Sequence, residues 1–197
     1  MKKAIVLMLL FFLIQGCATY RSYDINADKS KKFPPSKELK VAVLPLNAPT
    51  AGTKMYSATV GQGTYNTPEN AGKAVADAIN YALIKVPNVV LIERSQLEKI
   101  LSEHQLSLSG IIKNPDFNLL GKILPVDALV IGDVTSFYQW HDSTGYGGIV
   151  AFSARLVDIH SGEMLFTINC NALSRRIIED QMANDLARDA IKKLLEK

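Results

Sequence analysis

Two cysteines, three histidines and a scatter of carboxylates are the residues of this chain that could do chemistry. Cys17 stands directly after an apolar run, in LIQGCATY (13–20), where its thiol could pack, react, pair or carry a membrane anchor. His104 falls near the end of an expected helix, His141 in an expected loop and His160 in an expected turn. None has a second histidine or a cysteine at a metal-ligand spacing, so neither a metal nor another cofactor is expected. Glu93-Arg94, Asp127 and Asp133 flank expected strand ends, where carboxylates can do acid–base work. No nucleophile or metal partner accompanies them, and structural hydrogen bonding is the favoured reading. VGQGTYN (60–66) contains G-x-G but lacks the third glycine and a preceding strand, so it reads as a flexible loop. The G-x-S-x-G, P-loop and H-E-x-x-H patterns are absent, and no catalytic residue is assigned.

The elements around Cys17 give its thiol a more specific role. Lys2 and Lys3 precede eleven residues, Ala4 to Ile14, without a polar side chain. That run is short of the roughly 20 residues of a spanning helix. A charged start, a short apolar run and a small residue before a cut site make a secretory signal. Here the small residue is Gly16. LIQGC resembles the lipobox of bacterial lipoproteins, although Gln15 is a less common residue there. The resemblance implies cleavage before Cys17 and acyl chains on it; the alternative is an ordinary signal peptide with an incidental cysteine. Ala18, where an aspartate would favour the inner membrane, implies the periplasmic face of the outer membrane.

Removing residues 1–16 from the 197 leaves 181, enough for one domain and a tether. The 22 basic residues become 20 against 19 acidic ones, a net charge of +1, and nothing points to nucleic acid. With Cys17 acylated, Cys170 has no internal disulfide partner. It reads as a small apolar residue of a strand, against a reactive thiol or an intermolecular link. Residues 17–38 are polar, include KSKK (29–32) and Pro34-Pro35, and show no periodicity, so a lipidated N-terminus and mobile tether are expected.

The domain is expected over 39–197. LKVAVLPL (39–46) and NVVLIE (88–93) read as buried strands, and VDALVIGDVTSF (126–137), GGIVAFSARLVDI (147–159) and EMLFTINCNAL (163–173) as three more. HSG (160–162) is a tight turn. Residues 47–66 read as a long loop. A helix is expected after Thr67 as N-cap and Pro68, with Ala71, Val75, Ile79 and Leu83 on one face. A second, over 94–105, carries an S-x-x-E capping box at Ser95 and Glu98. A short third one, capped by Asn114, holds Phe117, Leu120 and Leu124. The last, 177–197, turns Ile178, Met182, Leu186, Ala190 and Leu194 inward. The order β-α-β-α-α-β-β-β-α implies a single α/β (α+β) domain, a mixed sheet of about five strands covered by helices in three layers.

Three stretches resemble the CsgG-like (curli secretion and assembly) family, which is related to the N-terminal domain of TolB and to LpoB. They are E-R-x-x-L-x-x-[IL]-L-x-E at Glu93 to Glu103, D-A-L-V-x-G at Asp127 to Gly132 and R-L-V-D-x-x-[ST]-G-E at Arg155 to Glu163. The resemblance implies a periplasmic domain that binds other proteins. The curli channel gives two long hairpins to a membrane barrel, whereas TSFYQWHDSTGYGGIVA (135–151) is short and the chain enters its last helix soon after GEMLFTIN. A spanning strand needs about 9–11 residues, so pore formation is not carried over. FYQWHDSTGYGG (137–148) is the best remaining surface feature. Tyr138, Trp140 and Tyr146 could be anchors for an envelope protein partner or a second copy, or could pack on the domain's own sheet. The leading expectation is a non-catalytic assembly or scaffold lipoprotein. An LpoB-like activator of a peptidoglycan synthase is the alternative.

Overall fold

The apolar run Leu39–Val43 forms β2, with Val41, Ala42 and Val43 all buried, which is why it shows no alternation. The computed structural model describes residues 20–48, 50–58, 61–104, 117–142 and 145–196. β2 runs parallel to both neighbours, β5 (Val89–Leu91) and β6 (Ala128–Asp142), so that Val41 faces Leu91 on one side and Ala128 on the other. β6 is followed by antiparallel β7 (Gly145–Asp158) and β8 (Met164–Ser174). At the β7–β8 turn, Asp158 Oδ1 accepts the N–H groups of His160 and Ser161 at 2.9 and 2.8 Å. Gly162 closes that turn at φ 72°, a region cheap only for glycine.

Among the described residues, four helices sandwich the sheet. α1 (Ala71–Leu83) and α4 (Glu179–Glu196) pack together on one face, where Val75, Ile79, Met182 and Leu186 join Val130, Phe137, Phe152 and Phe166 in the larger core. α2 (Arg94–Glu103) and α3 (Phe117–Ile123) cover one end of the other face, with Leu97, Leu101, Leu120 and Leu124 against Leu44, Leu129 and Val157. The three-layer α/β architecture is the one expected. Ile178 departs from the expected stripe of the last helix: it precedes α4 and is exposed.

Among the described residues the sheet holds eight strands, against the five expected. Its main order is β1-β8-β7-β6-β2-β5. The tether expected over 17–38 gives way at Tyr20 to β1 (Tyr20–Lys29), which pairs antiparallel with β8 from Tyr20↔Ser174 to Lys29↔Phe166. Ile25 and Ala27 turn toward the core and the Tyr23 hydroxyl donates to Asp189 on α4 at 2.7 Å. Tyr23, Ile25 and Ala27 alternate with the outward Asp24, Asn26 and Asp28, a short period-2 signal that the polar composition of the segment obscures. The chain after it is also docked. Ser30 N–H donates to the Leu165 carbonyl at 2.9 Å, Lys32 pairs with Glu163, and the Asn88 amide donates to the Pro35 carbonyl. Phe33 is 2% exposed and meets Phe166 edge to face at 5.0 Å.

The expected loop over 47–66 holds two further strands, β3 (Gly52–Ala58) and β4 (Gly61–Thr67). They form a hairpin, and β4 continues onto the far half of β6 from Asn66↔Gln139 to Gly63↔Asp142. β6 therefore shares one edge between β2 and β4. Glycines and threonines hide these strands because long-range pairing with β6 holds them, not an apolar stripe of their own.

Two expected helix starts move. Thr67 ends β4, and α1 begins at Ala71 behind Asn70, without a side-chain cap. α2 begins at Arg94, the first residue of the expected range but one ahead of the expected cap Ser95, with Glu93 at the cap position; the Arg94 guanidinium donates to Asp77 Oδ1 at 3.1 Å. Ser95 thus lies inside the first turn and the capping box does not form. Asn114 and the signal segment lie outside the described residues.

Candidate functional site at the hairpin end of the sheet

The groups that could do chemistry are dispersed or structurally engaged. Asp127 accepts the Lys40 N–H at 2.8 Å and locks β2 to the start of β6. Asp133 accepts from the Asn47 amide at 3.0 Å, beside the isolated bridge that continues β2 along β6. Cys170 is buried between β1 and β7, and burial pushes its thiol up to about 12. His104, His141 and His160 are exposed at separate places. Among the described residues no three His, Cys, Asp or Glu side chains gather where a metal could sit. Nor is any described helix long and apolar enough to cross a membrane.

The aromatic segment 137–148 is a paired hairpin arm, not a loop. Tyr138 faces Ile149, Trp140 faces Gly147 and His141 faces Tyr146 across β6 and β7. Phe137 belongs to the core, fully buried. Tyr138 is half-buried, its ring 4.9 Å from that of Tyr65 on β4. Burial, with a smaller effect of Tyr65, raises its phenol above the usual value. Trp140 lies over Gly147, where any added Cβ would come within 2.6 Å of the indole. Alternation places Tyr65, Tyr138 and Trp140 on one face of the arm and Tyr146 on the other. Tyr146 is the most open of the three expected contact residues, 47% exposed. Sequence reasoning missed Tyr65 because its segment carries no strand signal. With Tyr138 it lines a shallow cavity of about 420 Å³ walled by Thr50, Thr67 and Thr135.

The register also aligns this end of the molecule with the start of the chain. Tyr20, Ser174, Gly148, Gln139 and Asn66 form one row across β1, β8, β7, β6 and β4. The hairpin tips extend beyond that row, and so does the exposed pair Arg175-Arg176 that follows β8. Cys17, outside the described residues, precedes Tyr20 by three residues. At most about 3.6 Å per residue, it lies within about 11 Å of that row.

β3 and β4 have seven residues each, short of the roughly 9–11 of a spanning strand. β6 and β7 are longer, 15 and 14 residues, but β8 pairs with β7 from Gly148 onward, so of the described residues of β7 only Gly145–Gly147 run past β8.

Comparison with known proteins agrees with this architecture. The PelC dodecamer from Paraburkholderia phytofirmans has a similar fold, with 13% sequence identity, TM-score 0.52 and coverage of 86% of this chain and 95% of that one. Lipoprotein GNA1162 from Neisseria meningitidis is similar at 14% identity and TM-score 0.56, covering 81% of this chain and 99% of that one. No curated protein sequence matches. The family model of the curli production assembly/transport component CsgG matches residues 20–180, from the first residue of β1 into α4. The chain belongs to the CsgG family.

Proposed function

We propose that this protein is a non-catalytic assembly component of the bacterial envelope, fastened through Cys17 to the periplasmic face of the outer membrane. It works by protein–protein contact, as a homo-oligomer or with an envelope partner, and Tyr138, Trp140 and Tyr146 contribute the contact surface. The carrying observation is the start of β1 three residues after a cysteine that ends a signal-like run. A domain so placed is built to act beside a membrane. Family membership supports an assembly or transport role, and the dodecameric state of PelC, a protein of similar fold, supports self-association. The absence of a tether between Tyr20 and Glu38 weighs against an activator that reaches far from the membrane.

Replacing Cys17 by serine tests the anchor. The protein should leave the membrane fraction, and acyl-chain labelling seen in the wild type should vanish. Wild-type protein that takes up no acyl label would refute the anchoring. Sizing in detergent tests the assembly: a ring-sized particle supports it, and a monomer at every concentration refutes self-association.

A further inference from the structure

Among the described residues the middle of one sheet face is open. α1 and α4 cover the opposite face, and α2 and α3 reach only one end of this one. The open part is built from short polar side chains held in register. Asn26, Asn169, Ser153 and Asp133 form one row across β1, β8, β7 and β6, and Asp24, Asn171, Ala151 and Ser136 form the next. Strand alternation turns both rows away from Val150, Phe152 and Ile168 of the larger core. Asp24, Asn26, Asn169 and Asn171 are all exposed. The rows are the floor of a groove. A cavity of about 290 Å³ above them shares Thr135 with the 420 Å³ cavity beside Tyr65 and Tyr138. It shares Ser153 and Asn169 with a third, of about 180 Å³, that reaches Thr167 and Arg155.

The lining decides what fits. The centre of a protein–protein interface is enriched in aromatic residues, Met and Arg, whereas the centre of this groove carries amides and hydroxyls. An anionic polymer is opposed by Asp24, Asp28 and Asp133, which face one cation, Arg155, in these rows and the next. A chain of uncharged sugar rings meets each feature in turn. Its apolar C–H faces pack on Tyr65 and Tyr138, whose rings lie 4.9 Å apart. Its hydroxyls donate to Asp24, whose carboxylate already accepts from the Asn26 amide at 3.3 Å. An acetamido group, with one donor and one acceptor side, matches the side-chain amides of Asn169 and Asn171, which offer both. We infer that this groove binds an N-acetylated glycan chain, the sugar backbone of the cell wall, with one ring on Tyr65 and Tyr138 and its neighbours bonded to Asn169, Asn171 and Asp24. The wall as the source rests on the envelope placement proposed above; the groove does not. Tyr146, on the opposite face, stays with the protein contact.

Trp140 is the single tryptophan and stands two residues beyond Tyr138 on the same face, so its emission reports occupancy. Titrating the full-length protein with the tetramer of N-acetylglucosamine should change that emission to saturation. The glucose tetramer has the hydroxyls but no acetamido groups, and should bind about ten-fold more weakly, the scale of one hydrogen-bonding partner lost. Asn169→Ala/Asn171→Ala, at exposed positions, should weaken the N-acetylglucosamine tetramer by about the same factor or more with an unchanged circular dichroism spectrum. Purified cell-wall sacculi should sediment the wild type and leave that double variant in solution. An emission that ignores the N-acetylglucosamine tetramer overturns the groove, and so does undiminished affinity in the double variant. Equal affinity for the two tetramers overturns the acetamido assignment. Tetramer binding without sedimentation overturns the wall as the source. The tetramer readouts need neither the anchor nor a protein partner, so their failure is distinct from failure of the envelope reading.

Discussion

Replacing Phe33 by alanine asks whether the segment after β1 is part of the domain or a passenger. Phe33 is 2% exposed and rests edge to face on Phe166, itself 1% exposed in the sheet centre. Truncating such a phenylalanine costs about 3–5 kcal/mol, through lost burial and the cavity left behind. A domain of this size has a urea slope of about 2 kcal/mol/M, so the unfolding midpoint should fall by about 1.5–2.5 M. The same measurement on Phe166→Ala and on the double variant closes a cycle whose coupling should be about 0.5–1.5 kcal/mol, the worth of an aromatic pair beyond its area. A free tether gives neither effect. A midpoint for Phe33→Ala within about 0.3 M of the wild type would refute the docking of residues 30–38 and the reasoning built on it.

Three further outcomes are expected. Ser95→Ala should change stability by less than about 0.5 kcal/mol in denaturant unfolding, because Ser95 caps nothing; a loss above 1 kcal/mol would restore the capping box. Burial opposes ionisation of Asp158, but the N–H groups of Ser161 and His160 and the Ser161 hydroxyl outweigh it and hold its pKa below the usual carboxylate value. Its stabilisation is therefore present above the unfolded pKa and lost as pH falls through the folded one, so Asp158→Asn should be less stable than wild type at pH 7 and converge with it toward pH 3. Cys170, with its thiol near 12, should resist maleimide in the folded protein at pH 8 and react fully in urea; rapid labelling of folded protein would contradict its burial.

The parts of the fold legible in the sequence are those whose residues carry their own pattern. Val41 to Val43 and Ala128 to Ile131 announce buried strands as unbroken apolar runs, and Met182, Leu186, Ala190 and Leu194 announce a helix face by their period. β1, β3 and β4 stay hidden for the opposite reason. Asp24, Asn26 and Asp28 are outward residues of an edge strand whose short alternation lies in a polar segment, and Gly63 and Thr64 are held by pairing with partners nearly 80 residues away in β6. The contact surface was half legible. Its aromatics stand out, but the pairing that splits them between two faces, and adds Tyr65 to one of them, depends on a strand without a signature. Ser95 shows the converse error, a local motif overruled by the tertiary contact of its neighbour Arg94 with Asp77.

β1 also determines how the molecule meets mechanical load. Under the attachment through Cys17 proposed above, tension from the membrane enters at Tyr20, the outer end of an edge strand, where the register with β8 already slips between Tyr20 and Ser22. Force applied there loads the pairs of β1 with β8 before the rest of the domain. Release of β1 meets a stop at Phe33, plugged against Phe166. Up to that stop the leash from Cys17 lengthens from three residues to sixteen, from about 11 Å to about 55 Å at full extension. Release of β1 as far as that stop also withdraws Ile25 and Ala27 from the core and breaks the Tyr23 hydrogen bond to Asp189 on α4, and both oppose it. Under that proposed attachment the edge strand is a reel as well as a wall, short at rest and able to pay out chain when the domain is pulled away.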